Sequence, residues 1–576
     1  GIRLWDREAG RWLDAPKSTA GVIDFGAGGR LYMESDVGDD RVRLRSVTDG
    51  RPLFDTSAPS PTDVAPSADG RLVAVCPAGK APQVRELAHD RVLHGAWERA
   101  GALCDERSTL VFAQGGRFVV LGDGKTHVWD TASGRSVADL DAPGAEYPSF
   151  DEDGAFLAAV QGGEIKVWRL AAPTAPVFRH PLNNQSAYGT LAWDPDRPRL
   201  RYLEGGTVHT LDLGAAVTST WVSRPAETLL SPDGRTLATA EPTGATYRVR
   251  LRDAGDGQVI RTLPTPPPPA PRDRAEPAAT LSELRLLMAF SQDGTTLAYG
   301  LTVSRGIPAA QRLTFWDLAR RRERTTLELP TSADGELVES LALGPGGRSL
   351  YVTRATSIGE YAHEVWDTAR HRRTAVFPGA TGTDLAVRPD GRLLVGDDRV
   401  ARLPSGPVTR KELAQGTTIG ALAFAPDGSR LAAGDLTGRV SLWDADVRHR
   451  AGVLRNVFPA PLGDTPEGVG ALALSPDGRT LAVGGDAGTL QLWDTSTQQP
   501  LGGPLTTPGD AVRSLAFSPD GTTLYSTGAH VPLQRYTVAP DRAATQVCAR
   551  AAHANLTKAQ WRTYIPDAPY RELCGD

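Results

Sequence analysis

The sequence predicts an all-β chain of about 12–13 four-stranded blades arranged as tandem β-propellers, followed by a short C-terminal helical tail. Three regularities predict it. A turn of the Pro-Asp-Gly type recurs along the chain. Apolar strands of period two flank each copy, and seven of the twelve Trp fall at one fixed place near the end of a following strand.

The turn can be followed through its glycine: Gly29, Gly70, Gly116, Gly154, Gly234, Gly294, Gly347, Gly391, Gly428, Gly478 and Gly521, with Arg197 in that place in a degenerate copy. Pro presets φ for the first turn position, Asp accepts from the turn backbone, and Gly tolerates positive φ. These twelve turns lie mostly 37 to 50 residues apart, close to the ~40–45 residue period of propeller blades. On either side the residues alternate as in LALS and TLAV, the signature of strands. A third strand comes next, with apolar residues two apart (Val440 and Leu442, Leu490 and Leu492), and thirteen such strands can be counted.

That third strand ends in the recurring Trp: Trp5, Trp129, Trp168, Trp316, Trp366, Trp443 and Trp493. Other copies carry Arg45, Leu211, Arg252 or Tyr536 in the same place. A large aromatic at a fixed register is what stacked blades need, since each blade buries its face only against its neighbours. These Trp are therefore expected in the core, not around a ligand.

The clearest copies, ALAFAPDGSRLAAGDLTGRVSLWD (421–444) and ALALSPDGRTLAVGGDAGTLQLWD (471–494), resemble the WD40 repeat family. The resemblance implies tandem propellers that act as interaction scaffolds. One departure stands out. Family members often carry Gly-His before the first strand and an Asp in the turn before the third. Here the turn positions read Thr437 and Ala487, and no His precedes Ala421, Ala471 or Ser514. Blade cohesion is then expected to come mainly from apolar packing.

The tail VCARAAHANLTKAQWRTYIPDAPYRELCGD is similar to the segment that closes many actinobacterial WD40 proteins, among them STAND-type NTPases with the effector domain N-terminal to the propeller. Thr557 and Gln560 have capping-box spacing, Leu556 and Trp561 are placed as a hydrophobic staple, and Pro566 should end the helix. Cys548 and Cys574 bracket this helix and are candidates for a disulfide, with two packed thiols as the alternative; Cys76 and Cys104 read as core residues.

A Pro run near 264–282 reads as an exposed linker. The expected organisation is a first propeller over 1–263 of seven blades, the first incomplete, the linker over 264–282, a second propeller over 283–546 with six repeats, and a tail over 547–576. One continuous ring would be too wide, because propellers typically hold ~4–8 blades.

A net charge of −5 on 576 residues gives no reason to expect a nucleic-acid partner, and no stretch is apolar and long enough to span a membrane. The ten His are scattered, and no H-x-H, H-E-x-x-H, C-x-x-C or G-x-S-x-G occurs. GDGKT at 122–126 lacks the first Gly of a phosphate loop, and Asp151–Gly154 occupies a repeat turn. Neither cofactor nor metal nor catalysis is expected.

The leading reading is a non-catalytic scaffold for protein–protein interaction, the sensor region of a larger signalling protein. The alternative is a small-molecule-binding or enzymatic propeller that uses its central channel. The opening GIRLWD falls inside a repeat, so an upstream effector domain is expected. The expected location is cytoplasmic, or extracytoplasmic if an upstream membrane anchor exists.

Two regions are candidate partner surfaces. Expanded turns at 301–312 and 354–364 carry Arg305 and Tyr361, residue types enriched at interface hot spots. Turns after the Trp strand are basic in the second half: Arg320, Arg321, Arg322 and Arg324, then His371, Arg372 and Arg373, then Arg448, His449 and Arg450. Equivalent turns share one face of a propeller, so these would form an arc.

Overall fold

The computed structural model describes residues 5–574 except 7–9, 13–21, 27–28, 37–38, 57–61, 105–108, 114–116, 122–124, 141, 174–175, 183–190, 195–196, 205, 218–221, 223–224, 274–278, 305–306, 332–336, 356–360, 381, 405, 415–417, 459–466, 506, 551–554, 565–568 and 573. Among these residues thirteen antiparallel sheets succeed one another, most of them four-stranded meanders in simple sequential order. Numbered in chain order, blade 1 is the pair Trp5–Asp6 and Arg11–Trp12. Blades 2–6 cover 22–56, 62–93, 109–140, 146–181 and 191–212. Blades 7–13 cover 227–262, 284–330, 337–380, 385–410, 419–454, 469–494 and 514–537.

The recurring turns show why this sequence makes hairpins. Among the described turn glycines, Gly70, Gly154, Gly428 and Gly478 all have positive φ. In the Ser-Pro-Asp-Gly copies the Ser hydroxyl donates to the Asp two residues on (Ser475 to Asp477, 2.6 Å) and accepts the N–H five residues on (Thr480, 2.9 Å). The Asp carboxylate in turn accepts the Arg479 N–H at 3.1 Å. Each hairpin thus fixes its own register before any blade meets a neighbour.

The chain divides into two units, 1–219 with 506–509, and 220–505 with 510–576. The second unit is a closed ring of seven blades. Apolar clusters fill every seam in turn, including one that joins Leu230 and Leu237 of blade 7 to Ala516 and Tyr525 of blade 13. Among the described residues, several hydrogen bonds latch that last seam. Val222 and Ala226 donate N–H to the carbonyls of His530 and Ala529 (both 2.8 Å), Thr228 Oγ1 donates to the Gly528 carbonyl, and the Leu230 N–H donates to Ser514 Oγ.

This placement corrects the expected boundary. Blade 7, assigned from the sequence to the first propeller, closes the second, and 264–282 lies inside the second unit. The Pro run is not a free spacer. Pro lacks a donor but keeps its carbonyl, and the carbonyls of Pro264 and Pro266 accept from Tyr299 Oη and Thr246 Oγ1, both at 3.0 Å. Further along, Ala270 and Arg272 pair with Ala309 and Ile307.

In the first unit, seams between consecutive blades from 2 to 6 are filled in the same way. Six of the recurring Trp are buried in the seam with the preceding blade. Trp5 is the exception, at 51% exposed; its sheet has only two strands, and the ring stacks edge-on against Trp12. A β-bulge directly before this position recurs in seven blades, for example between Phe315 and Trp316 and between Leu442 and Trp443. A bulge re-aims the next side chain, here the residue that must fill the seam.

Cohesion is not purely apolar. Blade turns are tied by carboxylates at other positions than the usual family ones: Glu467 accepts the N–H groups of Ala487 and Thr489, and Asp510 those of His530 and Val531. The indole N–H groups of Trp443 and Trp493 are buried without a protein acceptor.

Cys76 and Cys104 sit in the core between blades 3 and 4, and they also form a disulfide, which corrects their reading as simple core residues. Cys548 is bonded to Cys574, leaving no free thiol among the described residues. The tail contains two helices, Pro540–Arg550 and Lys558–Tyr564, so helix begins seven residues before 547. Thr557 and Gln560 make reciprocal backbone bonds at 2.9 and 3.2 Å at the start of the second. Trp561 is buried and meets Tyr570 edge-on. No helix among the described residues is long and apolar enough to cross a membrane.

Candidate functional site

Concave regions line two parts of the seven-bladed unit among the described residues. One lies where the first strands of blades 7 and 10–13 converge. It holds about 300 Å³ and is walled by side chains such as Leu230, Val387, Phe424, Leu474 and Phe517. Its carboxylates, Asp233 and Asp293, are already committed. Asp233 accepts from Ser231 and the Arg235 N–H, and Asp293 from Ser291 and the Gly346 N–H.

The other region is a cleft of about 750 Å³ between blades 9 and 10, reached also by Arg324 of blade 8. Its apolar wall is built from Tyr351, Val365, Trp366, Leu403 and Pro404. Four guanidinium groups surround it, from Arg324, Arg348, Arg370 and Arg392, all on exposed positions. The single carboxylate on its lining, Asp367, is held well below the usual carboxylate range, first by the Arg370 N–H and also by the Arg370 guanidinium. One Asp367 oxygen accepts the N–H groups of Ala369 and Arg370 at 3.0 and 2.9 Å, and the other meets Arg370 Nη1 at 3.0 Å.

The rim is held rigidly. The turn preceding Arg348 is pinned by the Gly346 N–H, which donates to Asp293 Oδ2 at 2.8 Å, and Arg324 donates to the Gly346 carbonyl. Behind the wall, Glu364 is buried and accepts from Arg354 Nε at 2.9 Å, Trp366 Nε1 at 2.8 Å and Arg373 Nη1. Burial alone would raise this carboxyl, but Arg354 and these hydrogen bonds outweigh it and hold it low. The Trp366 ring is thereby locked in the cleft wall.

The positions singled out from the sequence fall around this cleft unevenly. Arg320, Arg321 and Arg322 are exposed on the turn leading to Arg324, with Arg320 paired to Asp317 at 2.8 Å. Arg372 is exposed beside Arg373, whose charge is tied to Glu364. Tyr361 is half-buried in the strand Tyr361–Asp367, paired with Ala355 and Ala380. Arg305, 356–360 and most of GDGKT lie outside the described residues.

The basic arc does not run evenly around the ring. At blade 11, Asp444 meets His449 at 2.9 Å, and Asp446 meets Arg388 at 3.0 Å and Arg402 at 3.5 Å. Excess positive charge is concentrated at blades 8–10. Sequence reasoning missed Arg348, Arg370 and Arg392. A signal for two of them was present, because the residue after the turn glycine is repeatedly Arg, as at Arg71, Arg235, Arg348, Arg392 and Arg479.

On the described residues, no three His, Cys, Asp or Glu side chains are grouped as metal ligands. Comparison with known families falls on the same unit as the cleft. The family model for the WD domain, G-beta repeat, matches residues 410–444, 456–494 and 501–530. These segments are WD40 repeats. They cover most of blade 11 and all of blade 12 and run into blade 13; outside them the apolar seams recur in blades 2–10 and the bulge in six of those. No curated protein is similar enough to the chain to match it.

Proposed function

We propose that the chain is a non-catalytic WD40 scaffold for protein–protein interaction, and that its second propeller docks a partner on the face carrying the cleft. The cleft carries this reading: guanidinium groups from three successive blades surround an apolar wall that ends in a locked Trp366. Rigid elements presenting Arg and aromatic side chains are what interface hot spots require. The channel alternative has less to support it, since its acidic side chains are spent within turns.

The tail motif supports the further proposal that the scaffold serves a signalling protein with an upstream effector of the STAND NTPase type. The two disulfides use all four cysteines and favour an oxidising compartment over the cytoplasm. We therefore propose an extracytoplasmic location for this region, with a membrane anchor between it and the effector.

The test is photo-crosslinking from a reactive residue placed at Arg372 and, as a control, at exposed Val208 of the first unit. A defined adduct from 372, competed by unlabelled chain, supports docking on this face. Adducts only from 208 would move the partner surface to the other unit.

A further inference from the structure

We infer that the cleft between blades 9 and 10 takes a short acidic peptide segment of a partner protein, with one apolar side chain of that segment seated on the wall and its carboxylates on the arginine rim. This rests on the scaffold reading above and adds the chemistry of what is docked.

The charge balance sets the sign of the ligand. Four guanidinium groups face the opening against one carboxylate, and that carboxylate is saturated by backbone N–H groups and by Arg370. All four cations are Arg. Guanidinium is planar and offers paired N–H donors that match a carboxylate in bidentate fashion, which a Lys ammonium cannot do. At ~8 Å screening length in physiological salt, charges this closely grouped act together on one ligand.

The wall sets the ligand's other half. Val365 and Leu403 offer nothing to a phosphate or a hydroxyl but suit a Leu or Phe side chain, and the Tyr351 ring extends that apolar surface. A volume of about 750 Å³ suits one such side chain with its flanking backbone, within the ~300–1,000 Å³ range of ligand sites. The extent of the patch argues against a nucleic acid. A phosphate backbone is tracked by a continuous basic stripe, and here positive charge is offset by Asp444 and Asp446 at the next blade. The whole chain is also net negative, at −5.

The experiment uses the full chain and fluorescent nonapeptides read by anisotropy. One has Glu at six positions around a central Leu, a second replaces Glu by Gln, a third replaces Leu by Gly, and a single-stranded oligonucleotide serves as the competing polyanion. The acidic Leu peptide should bind saturably, weaken at least tenfold from 50 to 300 mM salt, and lose at least tenfold on either Gln or Gly replacement. Arg348→Glu with Arg392→Glu should weaken it at least tenfold with an unchanged thermal melt; Arg348→Gln with Arg392→Gln, a milder pair, should weaken it at least threefold. Absent peptide binding, binding indifferent to both variant pairs, or binding of the oligonucleotide alone would overturn the inference. If the adduct from position 372 persists while the peptides fail, only this inference falls; if both fail, the docking reading falls with it.

Discussion

Gly234 of blade 7 lies so close to Phe517 of blade 13 that a Cβ on the glycine would stand 2.1 Å from the Phe517 carbonyl oxygen. Gly234 also has φ +65°. Both conditions exclude a side chain at the seam that closes the ring. Gly234→Ala should destabilise the second unit by about 1–3 kcal/mol from backbone conformation alone, with the clash adding to it. Thermal unfolding of the second unit checks this, with Gly244→Ala of the same blade, at φ +60° and nothing within 4 Å, as the conformation-only control.

Asp397 and Asp384 predict an unusual pH response. Burial raises Asp384 to about 6, while burial, then the neighbouring Asp384 and Asp398, raises Asp397 to about 7. Both oxygens of Asp397 are buried. The folded state therefore holds these protons more tightly than the unfolded chain, whose carboxyls titrate near 4. Their stabilisation is complete below that value and is lost as pH rises through 6 and 7. His363 acts in the opposite sense: burial lowers it to about 4, so its contribution is present above ~6.5 and lost as pH falls below that. Stability of the second unit should rise as pH falls from 8 to about 5, because the two raised carboxyls together take up more protons on folding than the one lowered imidazole gives up. Asp397→Asn should flatten the alkaline limb; a melt as steep as that of the parent would contradict the assignment.

The carboxylate of Glu364 holds the cleft wall from behind. Glu364→Gln removes the counter-charge facing Arg354, whose side chain is 3% exposed. Breaking a buried ion pair from one side costs about 3–5 kcal/mol. The variant should melt earlier and bind the acidic peptide less well, because the one oxygen of the neutral amide cannot hold Arg354, Trp366 and Arg373 together. Arg373→Ala, at the exposed end of the same network, should have less than half that effect on the melt.

The bridge between Cys76 and Cys104 closes a loop of 28 residues. Chain-entropy reasoning assigns a loop of that size about 3.5 kcal/mol. Replacing both by Ala should lower the stability of the first unit by about that amount and leave the second unchanged. Intact mass after thiol alkylation without reductant should show no label; any label would argue against the oxidising compartment.

The blade repeat was legible because turn, strand and Trp are local features, each carried by a few adjacent residues such as Ser475–Gly478 or Leu492–Asp494. Closure was not. Whether residues 227–262 join the blades on their N-terminal or their C-terminal side depends on the fit of Leu230 and Leu237 against Ala516 and Tyr525, which no local pattern records. The Pro run misled for a related reason: missing N–H donors are visible in sequence, while carbonyls accepting from Tyr299 and Thr246 are not. The cleft was half legible. Arg320–Arg324 stood out as a run, whereas Arg348, Arg370 and Arg392 are single residues on separate turns that only the ring brings together. The Cys76–Cys104 pair was hidden because a buried Cys reads equally well as a small apolar residue.

The latch between residues 222–230 and 514–530 also sets an order of events during synthesis. The bond from Thr228 to Gly528 spans 300 residues. At ~5–20 residues per second, the ribosome takes roughly 15–60 s to supply the second half of that contact. Throughout this interval blade 7 exposes the apolar edge of Leu230, Leu237 and Ala254 to whatever is nearby. Blades 7 to 12 can stack as they emerge, but the ring cannot close until blade 13 is out. The nascent chain is thus an open spiral with one sticky end, and a second copy's blade 13 could fill that end as well as its own.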